Sequence, residues 1–353
     1  MNIFRIPLLL ALICVAAMHQ LCGGWVASAL AQPRGAFADD EKSNIAVFRS
    51  SSPSVVNITT VTNERNLFSL DVFEGPQGTG SGFIWDERGH VVTNFHVIQG
   101  ASAARVILFD QSEWQATLVG AYADRDLAVL RIQAPRDKLK AIMIGTSRDL
   151  VAGQRVYAIG NPFGLDQTLT VGIISALNRE IQSVTRRTIR GVIQTDAAIN
   201  SGNSGGPLLD SAGRLIGVNI AIYSPSGASA GIGLAILVDE VNRLAPTLIH
   251  DGKITRPAFG IRPALPQVHA ALRLPKGLAV VGVVPRSPAD ITGIKPFLRG
   301  PRGEIIAGDI ITAMQGKPVA TLDEFLDVIE RHQAGDTITV TVLRAGAAVE
   351  LSV

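Results

Sequence analysis

The sequence around Ser204 contains the residue types that a nucleophilic serine requires. Ser204 stands in the segment Gly202–Pro207 (GNSGGP), where glycines permit a tight turn and leave room for a substrate carbonyl group. On such a turn, backbone N–H groups point at the negative oxygen that develops when a hydroxyl attacks a carbonyl. We predict that Gly202, Asn203 and Ser204 supply these oxyanion N–H groups. The same glycines also fit an ordinary turn that has no chemical role.

A nucleophilic serine also needs a base and a carboxylate that orients this base. His96 lies in TNFHV, and Asp126 opens DLAVLRI. The order His, Asp, Ser, with gaps of 30 and 78 residues, is typical of two-barrel proteases of the chymotrypsin type. We therefore predict His96, Asp126 and Ser204 as catalytic residues. Asp124 and Asp196 are alternative carboxylates, although their positions favour a turn residue and a loop support.

The elements that must position these residues are short β-strands. Apolar runs of about five to eight residues, such as VVNITTV, HVVTNFHVI and LTVGIISAL, are separated by Gly, Asn and Asp. Runs of this length predict an all-β barrel or sandwich. A helix is predicted at Val238–His250, where apolar residues recur every three to four positions.

A smaller second domain follows a polar linker. It contains strand-like runs such as LAVVGVV and DTITVTVLR, and a helix is predicted at Leu322–His332. We expect five segments in the chain: a signal peptide at 1–31, a flexible leader at 32–43, a first domain at 44–250, a linker at 251–256 and a second domain at 257–353.

The composition excludes several classes of protein. The 353 residues include 32 Lys and Arg against 30 Asp and Glu, and a net charge of +2 argues against nucleic-acid binding through a basic patch. Apolar residues make up 47% and charged residues 18%, which excludes disorder over most of the length. The chain has no H-E-x-x-H zinc motif and no G-x-x-x-x-G-K-[ST] phosphate loop. We therefore expect no metal, no cofactor and no use of ATP.

The N-terminus has the features of an export signal. Arg5 supplies a positive charge, residues 8–18 are apolar, and Ala29–Ala31 is a cleavage sequence of the A-x-A type. Cys14 and Cys22 both precede that site, so a cleaved chain has no disulfide and no thiol nucleophile. We expect export to a periplasm. The alternative is an uncleaved segment that anchors the protein to the inner membrane.

As a set, five segments of the chain resemble the HtrA/Deg family of serine proteases. They are TNFHV, DRDLAVL, AIGNPFGLDQTLTVGIIS, QTDAAINSGNSGGPLLD and GIGLAI. The resemblance implies a mainly β fold, in which a two-barrel chymotrypsin-like protease domain is followed by an α+β PDZ domain. It implies that His96 is the general base, Asp126 its orienting carboxylate and Ser204 the nucleophile. It also implies degradation of misfolded or damaged proteins in quality control and stress response, by a homotrimer or larger homo-oligomer.

The second domain contains a candidate peptide-binding site. Ala258, Phe259, Gly260 and Ile261 match the carboxylate-binding loop of PDZ domains, in which apolar residues flank a glycine. The resemblance implies that the N–H groups of this loop bind the C-terminal carboxylate of a substrate or activator peptide. Such a peptide adds as a strand beside the helix predicted at Leu322–His332.

The specificity pocket is predicted from residues near the oxyanion turn. We place Ile199, Ile220, Ala221 and Tyr223 around it, and none of them is acidic. Because a pocket without a carboxylate does not favour Lys or Arg, we expect small or medium aliphatic residues before the cleaved bond. The alternative is that these side chains fill the barrel core.

The family resemblance also implies a regulatory loop that orders the oxyanion hole. The candidate is Asn178–Arg190 (NREIQSVTRRTIR), a polar and basic segment in apolar surroundings. The alternative is an ordinary solvated hairpin loop.

Two other classes of function stay open from the sequence alone. If the oxyanion turn were always misordered, the protein would be a chaperone or peptide-binding module with an idle protease site. An esterase would use the same three residues, but the strand-rich pattern and the second domain disfavour it.

Overall fold

Runs of β-branched residues separated by turns form two closed barrels and a third, open sheet. The computed structural model of this chain describes residues 35–65, 72–162, 164, 166–200, 202–220 and 231–353, without the side chains of residues 63–77. The predicted signal peptide therefore lies outside the described residues. In the described part of the chain, no helix is both long and apolar enough to cross a membrane.

The first barrel has the strand order β1-β2-β3-β6-β5-β4 and closes where β4 pairs with β1. Neighbouring strands are antiparallel, as expected for strands joined by short turns. Apolar side chains, among them Ile58, Ile84 and Leu130, fill the interior. The strands are β1 (Val55–Arg65), β2 (Val72–Ile84), β3 (His90–Thr93), β4 (Ala103–Ile107), β5 (Glu113–Tyr122) and β6 (Leu127–Ile132).

The second barrel has the order β10-β11-β12-β9-β8-β7 and closes where β7 pairs with β10. Its interior is also apolar and includes Val156, Ile193 and Leu208. The strands are β7 (Arg155–Gly160), β8 (Thr168–Gln182), β9 (Thr188–Thr195), β10 (Pro207–Leu209), β11 (Leu215–Ile220) and β12 (Gly233–Leu237).

The prediction of a flexible leader at 32–43 is wrong for its last five residues, because the helix α1 (Asp39–Ser51) begins there. Three acidic residues occupy the first turn of α1, where carboxylates interact favourably with the helix dipole. The Glu41 carboxylate also accepts a hydrogen bond from the Ala38 N–H at 2.8 Å. The polar residues of this segment therefore form a helix and not a flexible leader.

Two further helices belong to the barrels, the short α2 (Phe95–Ile98) and α3 (Val238–Asp251). The helix α3 confirms the helix predicted at Val238–His250 and ends at Gly252, which has a φ of 72°. Its apolar face lies in one continuous core with Phe83 of the first barrel and Tyr157 of the second, so α3 joins the two barrels. The buried residues of α3 are Val238, Val241, Leu244, Ala245 and Leu248.

The open sheet after α3 has the order β13-β14-β17-β19-β20, and β18 pairs with β17. Two further strands pair only with each other: β15 (Leu298–Arg299) and β16 (Ile305–Ile306). The helices of this part are α4 (Pro266–Ala271), α5 (Pro288–Ile291) and α6 (Leu322–Ile329). The other strands are β13 (Ile261–Pro263), β14 (Leu278–Val283), β17 (Ile310–Met314), β18 (Lys317–Pro318), β19 (Thr339–Arg344) and β20 (Ala347–Ser352).

The helix α6 begins with a capping box, in which the Thr321 side chain accepts the Glu324 N–H and the Glu324 carboxylate accepts the Thr321 N–H. It ends at Ile329, three residues before the predicted end at His332. Residues 252–260 contain no helix or strand and overlap the predicted linker at 251–256.

Candidate active site

His96 lies on α2, directly after the strand β3. Its main-chain N–H donates to Asp126 Oδ1 at 2.9 Å, and its ring Nδ1 lies 2.7 Å from Asp126 Oδ2. Because an ionised carboxylate only accepts hydrogen bonds, the ring proton stands on Nδ1 and the lone pair on Nε2. This is the tautomer that a general base needs.

Asp126 is fixed by the main chain around it. It has a left-handed backbone, with a φ of 51°, directly after the 3-10 turn Ala123–Arg125. Its carbonyl accepts the Asn94 side-chain amide at 3.0 Å and the Phe95 N–H at 3.1 Å. The Asp126 side chain is 6% exposed, whereas the His96 side chain is 30% exposed. The buried carboxylate therefore orients a ring that substrate can reach from the cleft.

Ser204 lies on the turn before β10, and two glycines shape this turn. Gly202 has a φ of 99° and Gly205 a φ of 81°, values that residues with a Cβ rarely adopt. A Cβ at Gly202 would lie 2.3 Å from Pro162 Cβ, and one at Gly205 would lie 2.2 Å from Thr93 Oγ1. The turn therefore requires glycine at both positions, because it packs closely against the first barrel and the β7–β8 loop.

The structure brings the three predicted catalytic residues together. His96, Asp126 and Ser204 line one cavity of about 600 Å³, with Gly202 beside them. The first two residues come from the first barrel and the others from the second, so the cavity is a cleft between the barrels. The sequence order of the three residues predicted this meeting between two packed barrels.

The prediction that the Asn203 N–H is an oxyanion donor is wrong. This N–H donates to the Asn200 carbonyl at 3.0 Å, and the Asn203 side-chain amide donates to the Ala198 carbonyl at 3.3 Å. A backbone N–H has a single proton, so a donor bonded within its own turn is not directed at a substrate. Gly202 and Ser204 stay as the predicted oxyanion donors.

The predicted specificity residues have different places. Ile220 lines the cavity, whereas Ile199 is 4% exposed and packs in the core of the second barrel. Ala221 and Tyr223 lie outside the described residues. Asp126 is the only carboxylate among the described residues that line the cavity. Sequence reasoning missed other apolar lining residues, which strand alternation alone does not assign to a cleft: Val97, Ile181, Val184, Ile189 and Leu234.

The alternative carboxylates support loops instead. Asp196 Oδ1 accepts the Ile173 N–H at 2.7 Å, and Asp124 Oδ1 accepts the Thr185 hydroxyl at 2.5 Å. Neither Asp124 nor Asp196 is among the described residues that line the cavity. The geometry therefore favours Asp126 as the partner of His96.

A dense group of charges lies between the barrels and α6, and we call it the interdomain cluster. Arg187 Nη1 lies 2.5 Å from Asp323 Oδ1, and Arg125 Nη2 lies 2.9 Å from Glu330 Oε2. The predicted regulatory loop thus forms the end of the β8–β9 hairpin and contacts α6 through its arginines. The members of the cluster are Asp124, Arg125, Arg187, Arg190, Arg256, Asp323, Asp327 and Glu330.

Hydrogen bonds keep two carboxylates of the cluster ionised. Burial by itself would raise the pKa of Asp124, but hydrogen bonds from Thr185 and Arg256 outweigh it and lower the pKa. The pKa of Asp323 is lowered in the same way, because bonds from Thr188 and Arg187 outweigh its burial. Both groups therefore stay charged at neutral pH and below it.

Tyr122 stands at the edge of the cluster. Its hydroxyl donates to Glu330 Oε1 at 2.8 Å and accepts from Arg256 Nη2 at 2.8 Å. Burial, together with the Glu330 carboxylate, raises the pKa of Tyr122 to about 12. The neutral phenol therefore bridges the Glu330 carboxylate and the Arg256 guanidinium.

The predicted carboxylate-binding loop has the backbone that such a loop requires. The Phe259 carbonyl accepts the Ala289 N–H at 3.1 Å, and the Gly260 carbonyl accepts the Val284 N–H at 2.8 Å. In a trans peptide the N–H points opposite to the carbonyl, so the N–H groups of Gly260 and Ile261 point away from these partners. Gly260 has a φ of 89°, and a Cβ there would lie 2.1 Å from Ser287.

Next to this loop lies a second cavity, of about 430 Å³. Ala258, Phe259 and Ile329 are among the residues that line it. The Phe259 ring packs edge-on against Phe325, with 5.2 Å between the ring centres, which holds the loop against α6. The apolar side of this cavity, formed by Ala258, Phe259 and Ile329, is suited to a C-terminal residue with an aliphatic side chain.

Two family models match the chain. A trypsin-like peptidase domain matches residues 80–218, and a PDZ domain matches residues 257–353. These matches agree with the barrels that hold the cleft and with the open sheet that follows them.

The chain is similar to several known proteases. It is 50% identical over 315 residues to Protease Do-like 1, chloroplastic, of Arabidopsis thaliana, a match that covers 89% of this chain and 72% of the relative. It is 39% identical over 284 residues to a probable periplasmic serine endoprotease, DegP-like, of Brucella suis, which covers 79% of this chain and 53% of that relative. A solved structure of the HtrA-type protease AlgW with a decapeptide is 34% identical, covers 88% of this chain and 97% of that one, and has a TM-score of 0.67.

Proposed function

We propose, since this chain belongs to the HtrA/Deg family of serine endopeptidases, that it is an exported enzyme that degrades misfolded or damaged proteins without ATP. The observation that carries the proposal is the His96–Asp126 pair, at 2.7 Å, on the same cavity as Ser204. The chemistry follows from these three side chains.

In the proposed reaction, Ser204 Oγ attacks the carbonyl carbon of a peptide bond while His96 Nε2 takes the hydroxyl proton. His96 then gives this proton to the leaving amine, and the acyl group stays on Ser204. Water attacks the acyl-enzyme while His96 Nε2 takes a proton from it. The bond to Ser204 Oγ then breaks, His96 returns the proton to Oγ, and the carboxylic acid product leaves. Asp126 holds the Nδ1–H tautomer and stabilises the imidazolium at each step.

The oxyanion that develops on the carbonyl oxygen is stabilised by the N–H groups of Gly202 and Ser204. One such donor lowers the barrier by about 3 kcal/mol. The apolar wall of the cleft, with Ile220 and Leu234, favours substrates that have an aliphatic residue before the cleaved bond. Folded proteins keep such residues buried, so unfolded chains are the substrates that fit.

The PDZ domain is proposed to bind the C-termini of substrates or activator peptides. A bound peptide adds as a strand beside α6, and its carboxylate meets the N–H groups of Gly260 and Ile261. The apolar cavity next to Phe259 takes the last side chain.

The proposed location is the periplasm, reached through a cleaved signal peptide at 1–31. The named relatives include a periplasmic and a chloroplastic protease, and the periplasmic relative supports this location. We also propose a homotrimer or larger homo-oligomer, as the family resemblance implies.

The experiment that tests the function is degradation of unfolded casein by the purified chain, without ATP and without added metal. The wild type is expected to cleave casein, and Ser204→Ala is expected to be inactive although folded. Equal cleavage by both forms would contradict the proposal. Cleavage by neither, together with suppressed aggregation of unfolded protein, would favour a chaperone with an idle protease site.

A further inference from the structure

We infer that Ser81 is a positioning residue of the protease, because it holds the oxyanion turn of the second barrel from the first barrel. Ser81 is fully buried in β2, and its main-chain N–H contacts the turn that carries Ser204. It is not a catalytic residue, since the turn lies between it and the substrate. Its role is to fix the direction in which the turn presents its N–H groups.

Three hydrogen bonds of Ser81 meet the turn and the loop beside it. Its Oγ donates to the Gly202 carbonyl at 2.5 Å and accepts the Asn161 N–H at 2.8 Å. Its main-chain N–H donates to the Ser204 carbonyl at 2.8 Å. The Ser81 carbonyl in turn accepts the Thr93 hydroxyl at 2.7 Å. One residue thus connects β2, β3, the β7–β8 loop and the nucleophile.

The first peptide plane of the turn is fixed at both ends. Its carbonyl, that of Gly202, accepts from Ser81 Oγ, and its N–H, that of Asn203, donates to the Asn200 carbonyl at 3.0 Å. A planar peptide with both polar ends bonded cannot rotate without breaking both bonds.

The third peptide plane is fixed in the same way. Its carbonyl, that of Ser204, accepts the Ser81 N–H, and its N–H, that of Gly205, donates to the Asn219 carbonyl at 2.9 Å. Ser81 therefore supplies one of the two anchors of each outer plane.

The middle plane contains the N–H of the nucleophile. Its carbonyl, that of Asn203, accepts the Gly206 N–H at 3.0 Å, so the Ser204 N–H points in the opposite direction. Because the planes on both sides are held by Ser81, the direction of the Ser204 N–H depends on Ser81. A donor that is aimed before the reaction begins needs no reorganisation when the oxyanion forms.

The site leaves no simple replacement for the Ser81 hydroxyl. In Ser81→Ala, the Gly202 carbonyl and the Asn161 N–H lose their shared partner in a position that solvent does not reach. Both Asn161 carboxamide atoms are buried without a hydrogen-bond partner among the described residues, so the Asn161 side chain does not replace the lost bond.

The test measures kcat and KM on a chromogenic peptide with an aliphatic residue before the cleaved bond, and the inhibition constant of the matching peptide boronate. Ser81→Ala is expected to lower kcat about 10- to 100-fold and to weaken boronate binding by a similar factor. KM should change little, because the substrate itself makes no contact with Ser81. Boronate is the informative probe, since its tetrahedral adduct places an oxygen in the oxyanion hole.

The matched control is Ser52→Ala. Ser52 is 1% exposed and its hydroxyl donates to the Phe48 carbonyl at 2.6 Å, which is the same kind of buried bond away from the cleft. Ser52→Ala should lower thermal stability and leave kcat unchanged. Wild-type kcat and boronate affinity in folded Ser81→Ala would overturn the inference, as would equal kcat losses in both variants. If Ser81→Ala does not fold, Ser81→Cys, which has a weaker donor of similar shape, is judged by the same criterion.

This inference rests on the proposed role of Ser204, and the two fail differently. Activity that is abolished in Ser204→Ala but intact in Ser81→Ala defeats only the role of Ser81. Full activity in Ser204→Ala defeats the proposed function itself.

Discussion

The catalytic cleft and the interdomain cluster meet at three consecutive residues, yet different forces hold them. Asp126 faces His96 in the cleft, whereas Asp124 and Arg125 face the cluster. In the cleft, most anchors are hydrogen bonds of the main chain. In the cluster, four arginines face four carboxylates, and the side chains carry the contact.

Because of this difference, we expect only one of the two regions to respond to salt and pH. Main-chain hydrogen bonds in a buried turn have no charge to titrate and are little affected by salt. Ion pairs at a partly exposed domain contact weaken as salt screens them and as carboxylates take up protons. We therefore expect that the two regions can be perturbed separately, although they share one turn.

The largest expected effect is a difference in kcat between variants of Asp126 and of Asp124, which belong to the same turn. Asp126→Asn should lower kcat about 10⁴-fold, because an amide no longer selects the Nδ1–H tautomer of His96. Asp124→Asn, two residues away, should leave kcat unchanged and lower stability. Peptide hydrolysis by both variants, with unfolding in urea, measures the contrast. Similar losses of kcat in both would show that the cleft and the cluster are one unit.

The next effect concerns the cluster alone. Arg187→Ala leaves four buried or partly buried carboxylates with less positive charge around them, and should lower the free energy of unfolding by about 3 kcal/mol. The control is Arg148→Ala, whose side chain is 87% exposed and pairs with Asp239 at 3.4 Å. This change should cost about 0.5 kcal/mol or less. Equal costs in urea unfolding would mean that the cluster contributes no more than a surface ion pair.

The smallest effect is the pH dependence of the cluster. Since the pKa values of Asp124 and Asp323 are lowered by folding, their stabilisation is complete above the unfolded pKa and is lost as the pH falls through the folded pKa. The unfolded value is about 3.9, so stability should decline below about pH 4. The double variant Asp124→Asn with Asp323→Asn should show a smaller decline between pH 5 and 3 in urea unfolding. A decline as steep as in the wild type would assign the pH dependence to other groups.

The sequence predicted those parts of the site that repeat a local pattern. Runs of β-branched residues predicted strands, and the order of His96, Asp126 and Ser204 predicted two barrels with a cleft between them. The helix α3 followed from its apolar spacing. Each of these features depends on neighbours along the chain or on a known order of residues.

The features that sequence reasoning missed depend on contacts between distant segments. Arg187 and Asp323 are 136 positions apart, so neither charge indicated a partner. The bond from the Asn203 N–H to the Asn200 carbonyl depends on the backbone angles of the turn, which residue types do not fix. Ser81 looked like one small residue in a glycine-rich strand. Its importance appears only where β2 meets the turn of the other barrel.

The position of α3 along the chain has a consequence for synthesis. This helix completes a core shared by both barrels, yet it comes after all twelve of their strands. While the chain emerges from the ribosome, the helix part of this shared core is missing until Asp251 has been made. The core that joins the two barrels is therefore complete only after the helix Val238–Asp251 has been made.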